Sequence, residues 1–301
     1  MEKIITIVVT LCFIFIYSGC KAEKSITLPV KYARTAKENY RRALYYLKEK
    51  DYDRAEKLFN YIIKKFTTSP YYVALAELGL ADCEFGKGNY LEAAIKYRVF
   101  IERHPSHPKV EYALFKRGKA FFKQIPEDWF ILPPSVERDL TAVKDALNQL
   151  RRFVEAFPKS KYVKEAKEMI EICIQKLTSH ELIIARFYMK RKNYRGVLLR
   201  CKRVYERFPD SISAGKALLL SGKVLLKLAI SKDREKEKKE LINMWNIEDK
   251  DLINKDPKGF FLTLAKDYFE KVIKKFPNTG LAKRSKQYIK QLKKLLKEKI
   301  E

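Results

Sequence analysis

The 301-residue chain is long enough for one or two globular domains, or for one elongated repeat array without a single core. Lys and Arg outnumber Asp and Glu by 64 to 37, a formal net charge of +27. Such an excess points to nucleic acid, an anionic membrane surface or a solvated helical exterior; the cations are spread along the chain rather than clustered, and the solvated exterior accounts for most of them.

The first predicted element sets the compartment. Met1-Glu2-Lys3 is followed by the apolar run Ile4 to Tyr17 and then by Ser18-Gly19-Cys20. A short charged head, an apolar segment too short to span comfortably and small residues at the end describe a secretory signal. Ser18-Gly19-Cys20 resembles a bacterial lipobox, with Tyr17 where an aliphatic residue is usual. Cleavage there makes 1–19 a lipoprotein signal peptide, Cys20 the lipid-modified first residue, and 20–30 a tether; the alternative is an ordinary signal cut nearby. Lys21, rather than Asp, is compatible with delivery to the outer membrane. Of five cysteines, Cys12 leaves with the signal, and Cys83, Cys173 and Cys201 remain. They are widely spaced on apolar faces, without Cys-x-x-Cys, so neither a disulfide framework nor a zinc site is indicated.

Helical periodicity begins near Lys31 and continues through the chain. Ala36, Tyr40, Ala43, Leu44 and Leu47 form a first apolar stripe, and Lys50-Asp51 a turn. Tyr52, Ala55, Phe59, Ile62, Ile63 and Phe66 form a second stripe, broken at Thr67 to Pro70. The same second helix returns as Tyr90, Ala93, Ala94, Tyr97, Phe100 and Ile101 after the turn Gly88-Asn89, and stops at Pro105. Further copies are Ala146, Leu150, Phe153 to Pro158; Tyr194, Val197, Cys201, Val204 to Pro209; and Ala265, Phe269, Val272 to Pro277. Ser106, Ser160, Ser211 and Thr279 follow the prolines and are expected to cap the next helix.

The preceding helices repeat as well. Ala74 and Gly79, Ala113 and Gly118, and Ala217 and Gly222 share one spacing. Glycine inside a helix costs about 1 kcal/mol against alanine, so matched glycines predict close helix–helix approach. The unit is a helix hairpin resembling the tetratricopeptide repeat (TPR), whose period is about 34 residues. Here the spacing from Ala55 through Ala93, Ala146 and Val197 to Ala265 is 38, 53, 51 and 68. The excess lies in a loop at 125–137, in Lys161 to Lys192 (two helices, or one with a bend near Thr178-Ser179), and in an insertion at 231–257. The last helix, Leu281 to Ile300, is basic on its outer positions. It reads either as a polar cap or as a contact for anionic headgroups or a partner. The expected fold is an all-α, TPR-like α-solenoid of about five helix hairpins with insertions and a C-terminal capping helix.

No catalytic arrangement is present in the sequence. His104-Pro-Ser-His107 sits in an inter-helix turn without a third ligand near it in sequence, and His180 stands alone. There is no phosphate-cradling loop, His-Glu-x-x-His helix or nucleophile elbow. Aromatic residues fall at helical core spacing instead of alternating with basic residues, which argues against nucleic acid, as does export. The reading is a non-enzyme with no cofactor, no metal, no nucleic-acid partner and no small-molecule substrate. Stacked hairpins present a groove lined by their first helices. Taking Ala43, Ala81 and Ala120 as equivalent, Lys37, Tyr40, Leu44, Asp82, Phe85, Arg117, Phe121 and Gln124 point toward it. Mixed aromatic and charged side chains suit an extended peptide with an aromatic or carboxylate end; the alternative is that these aromatics are buried between repeats.

Several stretches together resemble one family. They are the cysteine-anchored start, Tyr52 to Phe66, Ser69-Pro-Tyr-Tyr-Val-Ala-Leu-Ala-Glu-Leu, Phe100-Ile-Glu-Arg-His-Pro-Ser-His-Pro, and Tyr112 to Gly118. Arg138-Asp139, Phe157 to Tyr162, Ala185 to Tyr194, Arg200 and Phe208 to Ser211 continue it. Over about residues 20 to 225 their order and spacing are similar to the BamD family, lipoprotein subunits of the outer-membrane β-barrel assembly machinery. The resemblance implies five TPR-like units. Residues 31–158 would engage nascent barrel proteins through their C-terminal targeting segment. Residues 159–301 would dock on the POTRA domains of a BamA-type barrel protein, with Arg200 in that half. It implies a periplasm-facing, lipid-anchored scaffold at the outer membrane. The alternatives are a periplasmic TPR adaptor of the Tol–Pal kind, similar to CpoB, or an enzyme or export-machinery subunit with a TPR module.

Overall fold

The computed structural model describes residues 30–126, 139–231, 241 and 256–297. The signal and tether with Cys20, most of the loop at 125–137, most of the insertion at 231–257 and the last four residues lie outside them. The described helices are α1 (Ala36–Lys48), α2 (Tyr52–Lys65), α3 (Pro70–Lys87), α4 (Tyr90–Arg103), α5 (Val110–Lys123), α6 (Thr141–Ala156), α7 (Val163–Lys190), α8 (Tyr194–Arg207), α9 (Ile212–Ile230), α10 (Pro257–Lys275) and α11 (Gly280–Lys297). Each packs on the next in sequence. Five antiparallel pairs, α1/α2 to α9/α10, are closed by α11, which gives a TPR-like α-solenoid.

Two repeating turns produce this order. Within hairpins, Lys50-Asp51-Tyr52, Gly88-Asn89-Tyr90 and Lys192-Asn193-Tyr194 occupy one position. The first residue of each is left-handed, with φ of 60°, 87° and 58°, a conformation that only glycine adopts without steric penalty. Asp51 and Asn193 then cap the next helix by accepting from Arg54 N and Gly196 N.

Between hairpins, Phe66, His104, Phe157, Phe208 and Phe276 each end a helix with φ between −116° and −134°. Each carbonyl accepts from the backbone N–H three residues on, at Ser69, His107, Ser160, Ser211 and Thr279. Ser211 and Thr279 cap as expected, accepting from Ala214 N and Ala282 N. Ser106 does not. Its equivalent is His107, whose Nδ1 accepts from Lys109 N at 3.1 Å; the capping position is two residues after the proline, and Ser106 is only one. Ser160 donates to Glu111 and accepts from Tyr162 N, which joins α5 to the start of α7.

The matched glycines lie at helix crossings. A Cβ on Gly118 would sit 2.9 Å from Leu150, and one on Gly222 would sit 2.6 Å from Phe269, both in the second helix of the same hairpin. Gly79 differs, because its space is filled by Phe59 of the preceding hairpin. The stretch Lys161 to Lys192 contains one 28-residue helix, α7, not two. Neither proline nor glycine interrupts it. Thr178 is buried, and its hydroxyl donates to the carbonyls of Ile174 and Gln175 at 2.8 and 3.2 Å, which satisfies the polar group inside a continuous apolar stripe. Its N-terminal half faces α6 and its C-terminal half faces α8, so one helix serves two neighbours.

First helices of neighbouring hairpins also touch, α1 with α3, α5 with α7, α7 with α9, and α9 with α11. They form the face on which the candidate groove lies.

Candidate functional site

Between α3 and α5 the chain buries a charged network. Asp82 on α3 accepts from the hydroxyls of Tyr97 on α4 and Tyr112 on α5, at 2.5 and 2.8 Å. Lys116 on α5 holds its Nζ 3.9 Å from the same oxygen, and both side chains are 17% exposed. Burial pushes the Asp82 carboxyl above the ordinary carboxylate range, opposed by Lys116 and the two hydroxyls. Burial likewise lowers the Lys116 ammonium, opposed by Asp82, and raises both tyrosines, with the Asp82 charge adding to the effect. The Lys116 ammonium also lies 3.7 Å from the centre of the Phe85 ring, a cation–π contact. Tyr40 on α1 is pushed up to about 12 by burial and then by Asp82, and its ring lies 6.0 Å from Tyr72 of α3. Lys119 reaches across to Glu165 on α7 at 2.6 Å.

The residues expected in the groove separate into groups. Lys37 and Leu44 are exposed on α1, with Tyr40 half-buried on the same side. Asp82 and Phe85 stand at the α3–α5 junction, but the Asp82 carboxylate is taken up inside the network. Phe121 packs with Leu140, Val143, Leu147 and Leu177 between hairpins, so for this ring the burial reading holds. Gln124 is half-buried, its Nε2 without a partner among the described residues.

Arg117 does not face the groove. Its charged neighbours are Arg98 and Glu102 on α4 and Arg152 on α6, all second helices; burial and then the two arginines lower its pKa. In the register of Ala81 and Ala120, Arg117 matches Leu78, which packs with Ala93, Tyr97 and Phe100. One residue is about 100° of helix, and the neighbouring cation, Lys116, is the one that meets Asp82 and Phe85 of α3. Sequence reasoning missed Lys116, Tyr97 and Tyr112. The signal available was Leu78, whose apolar character marks its column as inward-facing.

In the C-terminal half, Arg200 on α8 pairs with Glu181 on α7 at 3.1 Å, and Arg203 lies 3.9 Å from the other oxygen. A cavity of about 440 Å³ beside them is lined by Leu140, Thr178, Glu181, Arg203 and Phe208. Cys83, Cys173 and Cys201 are buried free thiols, each pushed up to about 12 by burial. The fold brings a carboxylate to the histidine turn that its sequence surroundings lack: His104 Nε2 lies 2.7 Å from Glu77, which also pairs with Arg103 at 3.0 Å. Among the described residues no cluster has the form of a metal site. No described helix is long and apolar enough to cross a membrane.

A family model described as outer membrane lipoprotein, YfiO, matches residues 32–241. The chain belongs to the YfiO family of outer-membrane lipoproteins. A tetratricopeptide-repeat model matches residues 262–279, in α10 and the turn after it. Family relatives carry the name outer membrane protein assembly factor BamD. That of Neisseria gonorrhoeae is 28% identical over 173 residues, 55% of this chain and 62% of the relative. That of Buchnera aphidicola is 25% identical over 181 residues, 58% of this chain and 71% of the relative. The match thus spans about 62% of the length of the Neisseria relatives. A TPR repeats protein of known structure from Bacteroides fragilis aligns over 87% of this chain and 100% of its own, at 13% identity and a TM-score of 0.46.

Proposed function

We propose that this YfiO-family lipoprotein is a non-enzymatic scaffold in the assembly of outer-membrane β-barrel proteins. It is anchored through Cys20 and faces the periplasm. Residues 31–158 bind extended segments of unfolded barrel proteins, and residues 159–301 bind a BamA-type core subunit, with Arg200 and its partner Glu181 in that half. The assembly role rests on the names of the relatives. The placement of the binding site rests on one observation, the Lys116 ammonium held over the Phe85 ring at the α3–α5 junction. A cation beside an aromatic face suits a chain end that carries both a carboxylate and an aromatic side chain. Tyr40, Lys37 and Leu44 on α1 extend the same side.

Titration of a fluorescent peptide ending in a C-terminal aromatic residue tests this. A charge-assisted hydrogen bond is worth about 1.5–3 kcal/mol, so Lys116→Gln should weaken binding roughly ten- to hundredfold. Arg117→Gln should leave affinity nearly unchanged. Equal losses from both variants, or none from Lys116→Gln in a chain that circular dichroism shows folded, would reject the site.

A further inference from the structure

The net charge of the chain is not evenly balanced across its surface. In α4, α8 and α10, cations on the surface pair with carboxylates four residues away, as in Lys96–Glu92, Lys202–Glu206, Lys266–Glu270 and Lys271–Asp267. α11 has no Asp or Glu between Gly280 and Lys297. Its exposed side carries Lys283, Arg284, Lys286, Lys290, Lys293 and Lys294. Among the described residues, none of these six makes an ion pair. The adjoining α9 also lacks carboxylates, and its Lys223 places Nζ 5.7 Å from the Tyr288 ring, on the seam between the two helices.

A helix that only closes the solenoid has no need of this arrangement. Lys286 and Lys290, and Lys290 and Lys294, stand four residues apart, where like charges destabilise a helix. Lys283 closes the first turn and Arg284 follows it, near the end where the helix dipole favours anions. Carboxylates at these positions would serve a cap better.

The inner side of α11 is already committed. Ala282, Ser285 and Leu292 are buried, and Tyr288 stacks on Phe269 with ring centres 5.0 Å apart. Among the described side chains of α11, residues 280–295, no large apolar one is exposed, so this stretch of the outer side lacks the aromatic or aliphatic anchor that protein interfaces bury. Five of the six cations are lysines, compact point charges suited to a diffuse anionic surface more than to bidentate carboxylate pairing.

We infer that this outer side of α11 docks on the anionic headgroups of a lipid bilayer. The helix adsorbs electrostatically and does not insert, because its apolar side is occupied. The inference is independent of the groove between α3 and α5. It draws only on the charge pattern and on membership of an outer-membrane lipoprotein family, which keeps such a surface within reach.

The test uses the full chain after signal removal, carrying Cys20→Ser so that no lipid anchor contributes. Co-sedimentation is measured at low salt with vesicles of mixed phosphatidylglycerol and phosphatidylcholine, and with phosphatidylcholine alone. One variant replaces Lys283, Lys286, Lys290, Lys293 and Lys294 by Gln. A second removes the same charge from the opposite end, at Lys31, Lys48, Lys57, Lys64 and Lys65. Each basic residue near an anionic surface adds a measurable increment, so adsorption to the anionic vesicles should fall at least about tenfold in the α11 variant and by about threefold or less in the other. Zwitterionic vesicles should bind none of the three. Equal losses in both variants would mean that net charge alone acts. Failure of the unsubstituted chain to bind anionic vesicles would also overturn the proposal. So would an α11 variant that loses binding of a poly-glutamate peptide but keeps its adsorption to vesicles. Circular dichroism checks that both variants are folded.

Discussion

His107 occupies a turn position that Ser or Thr fills elsewhere, and it does more than they do. Its Nδ1 accepts from Lys109 N, so the neutral ring carries its proton on Nε2, a buried atom without a partner among the described residues. The ring packs against Phe100 and Tyr71, with centres 5.4 and 5.6 Å away. Burial, then His104, then Lys109 lower its pKa from 6.5. A histidine depressed in the folded state stabilises it fully above the unfolded value, and that stability is lost as pH falls through 6.5 toward the folded pKa. Asp82, with its raised pKa, acts in the opposite direction on acidification. The difference between chains isolates the histidine: the drop in Tm between neutral pH and pH of about 5 should be smaller for His107→Gln than for the unsubstituted chain. Parallel Tm curves would show that the turn does not sense pH. At the same scale, the step from Arg117 to Lys116 shows why individual site residues were hard to read. Adjacent cations are indistinguishable in composition, yet one faces second helices and the other meets Asp82 and Phe85.

Among the helices, the crossing at Gly222 shows packing prevailing over propensity. Alanine would improve helix propensity by about 1 kcal/mol. Its Cβ, however, would lie 2.6 Å from Phe269, a ring already stacked on Tyr288 at an interplanar angle of 9°. Overpacking of this kind costs roughly 1–3 kcal/mol, so Gly222→Ala should lower stability in urea denaturation. Stabilisation would mean that the Phe269–Tyr288 stack shifts without penalty. Gly118 should tolerate the change better, since the nearest atom there is a flexible Leu150 methyl at 2.9 Å. α7 carries the complementary lesson. Thr178-Ser179 looks like an interruption, yet the Thr178 hydroxyl returns to the helix's own carbonyls and the helix continues.

Across the molecule each helix contacts mainly its neighbours in sequence, with the first helices of adjacent hairpins as a second layer of contact. Stability in such an array is approximately a sum of local terms, and the open end needs a cap. α11 supplies it. Tyr288 covers Phe269, and Leu281 fills the space beside Gly215. Removal of residues 280–301 should therefore lower hydrogen-exchange protection of α9 and α10 by about tenfold or more, while α1 to α4 keep theirs. A uniform loss along the chain would show that the array unfolds as one unit.

The sequence by itself determined the repeat, the helix hairpin, the placement of its glycines and prolines, and the family. All of these follow from local spacing: 3.6-residue periodicity, left-handed turns and the carbonyl accepting from three residues on are visible within a few positions. What only the tertiary structure decided depends on which groups meet across hairpins. Asp82 receives hydroxyls from residues 15 and 30 positions away, Glu77 reaches His104 at 27, and Lys119 meets Glu165 at 46. Periodicity reports which side of a helix is inward, but not which inward neighbour answers a buried charge, and for Asp82 and Lys116 that neighbour decides what each side chain can offer to a ligand.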